Sequence, residues 1–317
     1  MIGFISPRKL AELGILGMNR RNVGFIGKYN PRSKYRLVDD KLLTKKTALE
    51  NNIPVPQLYK VIERQHEIAG ATRDLVEHEA FVIKPVQGSG GKGILVIIGR
   101  EGDSFRKSSG SLISAADVRR HLSNILAGLH SLGGRNDRAM VEAMIQFDPC
   151  LQEYSYEGVP DIRVIVFKGV PVMAMVRCAT HASDGKANLH QGAVGVGIDI
   201  ATGRSVRAVQ HGTLVTTHPD TRANFRELQI PYWEQILDLA GRCVEMTGLG
   251  YLGVDIVLDR TYGPMLLELN ARPGLAIQVA NMAGLRHRLA VAEKIAAETD
   301  DHDRKIALAR QSFGVYT

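Results

Sequence analysis

Two acids and an amide interrupt apolar, strand-like sequence near the C-terminus. Asp255 lies in one β-type run, and Glu268 and Asn270 lie two residues apart in the next. Side chains alternate between the two faces of a strand, so Glu268 and Asn270 share a face. Their oxygens are hard ligands of the kind that suits Mg²⁺, and residues 259–263 between the runs are typical of a hairpin turn. The pattern indicates either a metal site or a pair of strands whose acids meet Lys or Arg.

A glycine-rich segment, residues 87–93, lies between the β-type runs 81–85 and 94–98. Glycine tolerates positive φ, and successive N–H groups can then line a concave anion site. Lys84 places a positive charge at the end of the first run. Taken alone, the segment is either a loose turn or a phosphate-binding flap. The acids downstream favour the flap, because phosphate, Lys and a divalent metal act together.

These residues must be positioned by sheets. We expect a short helix and an extended arm in residues 1–36, a polar loop in residues 99–114, and C-terminal helices. Because the strands outnumber the helices and are joined by hairpin-like turns, the predicted class is α+β with mostly antiparallel sheets. Strands are predicted near residues 58–62, 81–85, 94–98, 138–146, 161–168, 171–179, 254–258 and 266–270, and helices over 41–49, 115–131 and 231–246.

Composition limits the class of protein. The 317 residues suffice for one large domain or two joined lobes. The chain has no apolar stretch of membrane-spanning length and no signal-peptide pattern, and its three cysteines are widely separated. We therefore expect a cytoplasmic protein without a membrane span. The net charge of +7 admits an anionic partner, and basic residues crowd together in residues 20–36.

The order of these signals resembles the ATP-grasp superfamily, most closely its ribosomal-protein glutamate ligase-like branch. The resemblance runs from about residue 38 to about 290. It implies two α+β lobes with mostly antiparallel sheets that clamp a nucleotide. The matching pieces are Asp40-Lys41, residues 83–85 with the flap, residues 141–145, residues 161–163, Arg177, residues 188–192, residues 253–256 and residues 268–274.

The resemblance also implies a role for each matched residue. Two lysines and the flap hold the ATP phosphates, a hinge segment holds adenine, one acid contacts ribose, and an asparagine contacts phosphate or metal. The implied ATP-binding residues are Lys41, Lys84, Gln87, Gly88, Ser89, Gly90, Gly91, Lys92, Glu142, Ala143, Met144, Ile145, Asp161 and Asn188.

The implied catalytic and metal-binding residues come from the second half of the chain. Arg163 and Arg177 would face the transferred phosphate and the carboxylate, and Arg272 would lie in a loop that approaches the substrate. Two Mg²⁺ ions, with Mn²⁺ as a substitute, would be held by Asp255, Glu268 and Asn270. His190 is assigned no acid–base role.

With these parts, the expected enzyme is an ATP-dependent carboxylate–amine ligase. It would form an acyl phosphate and then an amide, adding glutamate or another amino acid to a peptide or small acceptor. An ATP-grasp kinase is the alternative. A basic binding module, for example for nucleic acid, is disfavoured because such a module has no need of buried acids.

The chain departs from the superfamily pattern in one respect. Such ligases carry a separate α/β domain before the ATP-binding lobes, whereas only 39 residues precede Asp40 here. We therefore divide the chain into a basic arm (1–37), an ATP-grasp domain (38–295, with lobes at about 55–140 and 141–295) and a C-terminal helix and tail (296–317). The acceptor would be small and anionic, or presented by a partner protein.

Overall fold

The computed structural model describes residues 5–88, 90–131 and 133–315. The chain forms two compact units. The first unit comprises Met1–Val38, Thr47–Pro54 and Phe147–Thr317, and the second comprises Asp39–Lys46 and Val55–Gln146. Within the described ranges, no helix combines the length and the apolar character needed to cross a membrane.

The N-terminal part of the first unit is mostly helical, where the sequence predicts a short helix and an extended arm. Its helices are α1 (Pro7–Glu12), α2 (Met18–Arg21), α3 (Gly27–Tyr29) and α4 (Arg36–Asp39), with a π-helical turn over Asn22–Ile26. The arm prediction fails because of aromatic packing. Phe25 and Tyr29 meet the ring of Phe167 edge-on at 5.5 and 4.9 Å, which gives this stretch a reason to fold onto the unit.

The second unit contains a six-stranded antiparallel sheet in the order β1-β6-β2-β3-β4-β5. Two helices, α6 and α7, contribute to its core, which includes Phe81, Phe105 and Leu122. Asp40 caps the helix α5, accepting from the N–H of Leu43 at 2.9 Å. The elements are α5 (Lys41–Glu50, shared with the first unit after Lys46), β1 (Leu58–Ile62), α6 (Ile68–Asp74), β2 (Phe81–Pro85), β3 (Leu95–Glu101), β4 (Ser104–Lys107), β5 (Leu112–Ile113), α7 (Ala115–Leu126) and β6 (Ala139–Ala143).

Two predictions in the second unit are wrong. The polar stretch 99–114 contains the strands β4 and β5, because Phe105 is buried and meets Phe81 edge-on at 5.7 Å. The helix predicted to reach residue 131 ends at Leu126, and Gly128 then adopts a φ of +82°. A left-handed residue of this kind commonly ends a helix.

The first unit is completed by a seven-stranded antiparallel sheet in the order β11-β10-β9-β8-β7-β12-β13. The predicted mostly antiparallel α+β class is therefore confirmed. The elements are α8 (Pro149–Gln152), β7 (Asp161–Phe167), β8 (Val170–Cys178), β9 (Val194–Ile198), β10 (Ser205–Gln210), β11 (Thr213–Val215), α9 (Trp233–Thr247), β12 (Tyr251–Asp259), β13 (Gly263–Asn270), α10 (Ala276–Asn281), α11 (Leu285–Glu298) and α12 (His302–Phe313).

Candidate active site

The register of four neighbouring strands, β8, β7, β12 and β13, gathers the predicted charged residues of the first unit. Asp255 on β12 lies opposite Arg163 on β7 and opposite Glu268 on β13. Asp161 lies opposite Arg177 on the next pair, β7 and β8. Opposite residues on paired strands have their side chains close together. The sheet therefore brings acids and arginines from four strands into one cluster.

Asp255 is the centre of this cluster. Its carboxylate accepts from Arg163 Nε and Nη2 at 2.7 and 2.5 Å, and from Arg177 Nη2 at 2.8 Å. Arg177 also donates both Nε and Nη2 to Asp161, at 2.6 Å for the Nε contact. Bidentate Arg–carboxylate pairs of this geometry are strong and fix both partners. Two acids and two arginines thus neutralise one another in a buried place.

Burial and charge set opposite pKa shifts for the two acids. Burial alone would raise the pKa of Asp255, but the charges of Arg163 and Arg177 outweigh it and lower that pKa to about 2. Burial raises the pKa of Asp161 more than Arg177 lowers it, and the charge of Asp255 raises it further. Asp255 is therefore the acid that stays firmly ionised.

The three predicted metal ligands supply a donor set that suits Mg²⁺. Asp255 is buried, Glu268 and Asn270 are half-buried, and Asn270 Nδ2 donates to Asp255 Oδ2 at 3.2 Å. The trio offers two carboxylates and, after a half-turn of the amide group, an amide oxygen. The alternative weighed from the sequence, that the acids meet Lys or Arg, is also realised at Asp255. The metal role stays a prediction.

The loop after β13 is held by the N-terminal helices of the same unit. Asn30 donates to the carbonyl oxygens of Ala271 and Tyr251 at 2.9 and 2.8 Å, and Arg21 Nη1 donates to the carbonyl of Pro273 at 2.9 Å. The guanidinium of Arg272 lies 4.8 Å from the centre of the Tyr35 ring, a cation–π distance. Arg272 is therefore presented at the surface on a fixed backbone.

In the second unit, the predicted phosphate-binding Lys84 forms a buried ion pair with Glu142. Lys45 reaches the other oxygen of the same carboxylate at 3.0 Å and also donates to the carbonyl of Pro56. Burial lowers the pKa of Lys45. Burial alone would raise the pKa of Glu142, but the charges of Lys84 and Lys45 lower it overall. The carboxylate that the resemblance assigns to adenine thus orients two lysines.

The flap has the backbone that an anion site requires. Gly90, Gly91 and Gly93 have φ values of +64°, +74° and +75°. Lys41, on the first turn of α5, donates to the carbonyl of Gly88. Gln87 and Lys92 are exposed, and Ser89 lies outside the described residues. These residues are placed where phosphate binding is predicted, but that role remains a prediction.

The remaining predicted nucleotide contacts have more local partners. Ala143, Met144 and Ile145 are half-buried after strand β6, and the N–H of Ala143 donates to the carbonyl of Gln57 at 2.8 Å. Asn188 Oδ1 accepts from the N–H of His190 at 3.0 Å and caps a short 3₁₀ turn. For Asn188, the structure shows a turn-stabilising role.

Two functional candidates were missed by reasoning from sequence. Lys45 follows Lys41 by four residues, so helical spacing places both on one face of α5, and that signal could have found it. Asp137 is buried and accepts from the N–H of Gln87 at 3.0 and 3.1 Å and from Ser131 Oγ at 2.7 Å. Asp137 therefore fixes the base of the flap. No local sequence signal marks it.

A second cluster lies apart from these residues, on helices α9 and α12. Asp238, His302 and Asp303 each place a potential ligand atom within 4.8 Å of the others. His302 Nε2 and Asp238 Oδ1 are 2.9 Å apart, and His302 Nδ1 is 3.6 Å from Glu245. His302 thus ties the two helices together.

Comparison with known families identifies the class of this protein as ATP-grasp. The chain belongs to the family described as sugar-transfer associated ATP-grasp, which it matches over residues 20–294. The predicted superfamily is therefore confirmed. Comparison with curated proteins finds no match.

Several solved structures are similar to this chain. PsnB, an ATP-grasp ligase complexed with a minimal precursor, is 15% identical with a TM-score of 0.46, covering 88% of this chain and 62% of its own. The D-cycloserine synthetase DcsG is 16% identical with a TM-score of 0.49, and the match covers 93% of this chain and 82% of DcsG. A RimK domain ATP-grasp protein from Sphaerobacter thermophilus DSM 20745 is 17% identical with a TM-score of 0.43, covering 80% and 69%. The chain spans between 58% and 62% of the length of the first five solved structures that it matches.

Proposed function

We propose that the protein is an ATP-dependent carboxylate–amine ligase that uses an amino acid as the amine and a peptide or small anionic acid as the acceptor. The observation that carries the proposal is the convergence of Arg163 and Arg177 on Asp255. Two guanidiniums that can bind oxyanions lie beside oxygen donors that suit a divalent metal. Phosphoryl transfer to a carboxylate needs this combination.

The guanidinium groups of both arginines are positioned by neighbouring carboxylates. Arg177 is held by both Asp161 and Asp255, so its position is fixed. Arg163 uses Nε and Nη2 on Asp255, and its Nη1 has no hydrogen-bond partner among the described residues. That free donor is available to an oxygen of the acceptor carboxylate or of the transferred phosphoryl group.

On this proposal, the other predicted residues act on ATP. Lys41, Lys84 and the flap bind the phosphates, and Glu142 with Lys45 holds Lys84 in place. Asp255, Glu268 and Asn270 would hold Mg²⁺, which supplies charge neutralisation at the phosphates. Asp137 keeps the flap attached to its strand through Gln87. The protein's contribution is positioning and electrostatics, without a covalent intermediate on the enzyme.

The proposed reaction passes through an acyl phosphate. An oxygen of the acceptor carboxylate forms a bond to the γ-phosphorus, and the bond from that phosphorus to the β–γ bridging oxygen breaks and releases ADP. The amine nitrogen then attacks the acyl carbon, inorganic phosphate leaves, and the nitrogen loses a proton. The products are an amide, ADP and phosphate.

The test has two parts. First, ATP with Mg²⁺ should raise the melting temperature of the protein, because ligand binding to the native state stabilises it. Second, hydroxylamine supplied with amino acids, acidic peptides and small carboxylic acids should yield a hydroxamate from the acyl phosphate, together with ADP. Phosphorylated product without hydroxamate would instead identify a kinase. Absence of any shift with MgATP would overturn the nucleotide-binding proposal as a whole.

A further inference from the structure

The net charge of the chain is concentrated in its first 36 residues. They contain eight basic residues and a single acid, Glu12, and thus carry a net charge of +7. The rest of the chain holds 32 of the 40 Lys and Arg residues and 32 of the 33 Asp and Glu residues, which balance. The basic residues are Arg8, Lys9, Arg20, Arg21, Lys28, Arg32, Lys34 and Arg36.

Most of these charges have no acidic partner among the described residues. Arg8 and Lys9 pair with Glu12 at 3.3 and 3.6 Å. Within the part of the chain that the structure describes, the other six form no ion pair, and all of them except the half-buried Arg21 are exposed. A cluster of exposed like charges repels itself and attracts an anionic surface.

The same segment exposes aliphatic side chains. Ile5, Leu10, Leu13, Met18 and Val23 are 56%, 37%, 50%, 64% and 77% exposed. Helices α1 and α2 bury none of their residues. We call residues 5–36 the basic segment. This segment therefore exposes both apolar and cationic groups.

The inner face of the basic segment fixes its orientation on the first unit. Leu16 and Ile26 are buried, and the side-chain amide of Gln278 forms hydrogen bonds with both backbone groups of Leu16, at 2.8 and 3.1 Å. Asn30 bonds to the backbone of Tyr251. The exposed side chains thus belong to a folded surface and cannot be covered by rotating the segment inward.

We propose that the basic segment docks on the surface of a bilayer rich in anionic lipid. Exposed aliphatic side chains close in sequence to exposed Lys and Arg are the combination that binds at a lipid interface. Nucleic acid fits less well, because the aromatic rings of Phe25 and Tyr29 pack inward on Phe167 and are not available for base stacking. A second copy fits less well, because a symmetric dimer would place two clusters of positive charge against each other.

This docking role is independent of ATP chemistry. The segment also holds the backbone of residues 271 and 273 through Asn30 and Arg21, so a docked enzyme would have its Arg272 loop fixed to the docking element.

The test is sedimentation of the full chain with sucrose-loaded vesicles of phosphatidylcholine alone, or with roughly a third phosphatidylglycerol. The protein should sediment with the anionic vesicles and not with the neutral ones. Arg20→Gln/Arg32→Gln should weaken partitioning roughly 25-fold, since each basic residue contributes about fivefold near an anionic surface. Met18→Glu/Val23→Glu should abolish it. Arg260→Gln and Leu214→Glu, exposed elsewhere on the first unit, are the matched controls.

Three results would overturn the proposal. They are failure of the wild type to sediment with anionic vesicles, wild-type sedimentation of Met18→Glu/Val23→Glu, and a dimer in light scattering that this variant disrupts. The substituted residues are exposed, so folding is expected to survive, and fluorescence of the single Trp233 in the first unit checks this. Vesicle binding needs no ATP, so its outcome is separate from that of the proposed ligase activity.

Discussion

Asp255 and Arg163 face each other in register on adjacent antiparallel strands, joined by hydrogen bonds of 2.7 and 2.5 Å. The sequence offered two interpretations of the acids on β12 and β13, a metal site or a set of ion pairs. Both sets of groups are present on one sheet. The arginines hold Asp255 ionised, and an ionised carboxylate is the form that a metal ion requires.

The pH dependence of stability should reveal the charge state of Asp255. Its pKa is lowered to about 2 in the folded protein, so its contribution is fully present above the ordinary Asp pKa near 4 and is lost as the pH falls toward 2. Asp255→Asn should lower the free energy of unfolding of the first unit by about 2–3 kcal/mol at neutral pH. The difference in unfolding free energy between the wild type and Asp255→Asn should shrink as the pH falls from about 4 to about 2. Urea unfolding followed by Trp233 fluorescence measures it.

Asp300→Asn is the control for this experiment, because Asp300 is an exposed acid of the same unit. It should change stability by less than about 0.5 kcal/mol at every pH. A difference between wild type and Asp255→Asn that does not depend on pH would contradict the assignment of the charge.

The buried pair of lysines on Glu142 gives a prediction for the second unit. Glu142→Gln should destabilise it by about 2–3 kcal/mol, because Lys45 is buried and would lose its charged partner. Adding Lys45→Met should restore part of that loss, since burial already disfavours the Lys45 charge and Met fills a similar space. Hydrogen exchange of amides in β2 and β6 reports this unit, which lacks Trp. If the double variant is no more stable than Glu142→Gln alone, the unpaired charge of Lys45 is not the cause of the destabilisation.

The strands of the site were largely predictable, but the partners of their side chains were not. Alternation and turn residues placed β7, β8, β12 and β13 within a few residues of their observed ends. The basic side chains that pair with Asp255 are those of Arg163 and Arg177. This pairing depends on the register between strands that are far apart in sequence. The same limit explains Asn30, whose partners Tyr251 and Ala271 are more than 200 residues away.

Packing of aromatic side chains accounts for two of the wrong fold predictions. Phe105 turns a polar stretch into a strand by entering the core, and Phe25 folds the basic segment onto Phe167. Neither stretch shows a periodic apolar pattern, so their own sequence gives a weak signal. The packing that fixes them is tertiary.

The flap should be sensitive to a methyl group at Gly88. A Cβ there would lie 2.3 Å from Cγ of Pro85, a ring that cannot rotate away, so Gly88→Ala should displace the base of the flap. We expect MgATP affinity to fall at least tenfold while the sheet remains folded. Gly102→Ala in the β3–β4 turn is the control. Gly102 has a positive φ, +57°, which Gly88 lacks, and a Cβ added there would meet no atom within 4 Å, so only a backbone cost of about 1–2 kcal/mol applies.

Calorimetric titration of each glycine variant with ATP and Mg²⁺ measures the effect on the flap. Equal loss of affinity in both variants would show that the flap is not the phosphate-binding element. Unchanged MgATP affinity in both variants would lead to the same conclusion.

Asn30 should be essential to the first unit. Its buried side chain makes three hydrogen bonds, to the N–H and carbonyl of Tyr251 and to the carbonyl of Ala271. Asn30→Ala should cost about 3 kcal/mol, at about 1 kcal/mol for each bond. Asn22→Ala, an exposed position in the same segment, should cost much less. Trp233 fluorescence in urea again gives the readout. If Asn30→Ala leaves the free energy of unfolding nearly unchanged, attachment of the basic segment does not stabilise the unit.

Glu268 should contribute to metal binding more than to stability. It lies half-buried opposite Asp255, on the same strand as Asn270. Replacing Glu268 by Gln preserves the shape of the side chain and removes one negative charge. The affinity for a divalent cation should therefore fall more than the stability of the fold. In the presence of ATP, Glu268→Gln should weaken Mn²⁺ binding at least tenfold by electron paramagnetic resonance, with a change of less than about 1 kcal/mol in unfolding free energy. Asp303→Asn removes an acid from the separate cluster on α9 and α12 and should leave Mn²⁺ binding unchanged. If Asp303→Asn abolishes binding and Glu268→Gln does not, the metal belongs to the helical cluster and the strand acids serve only as partners of the arginines.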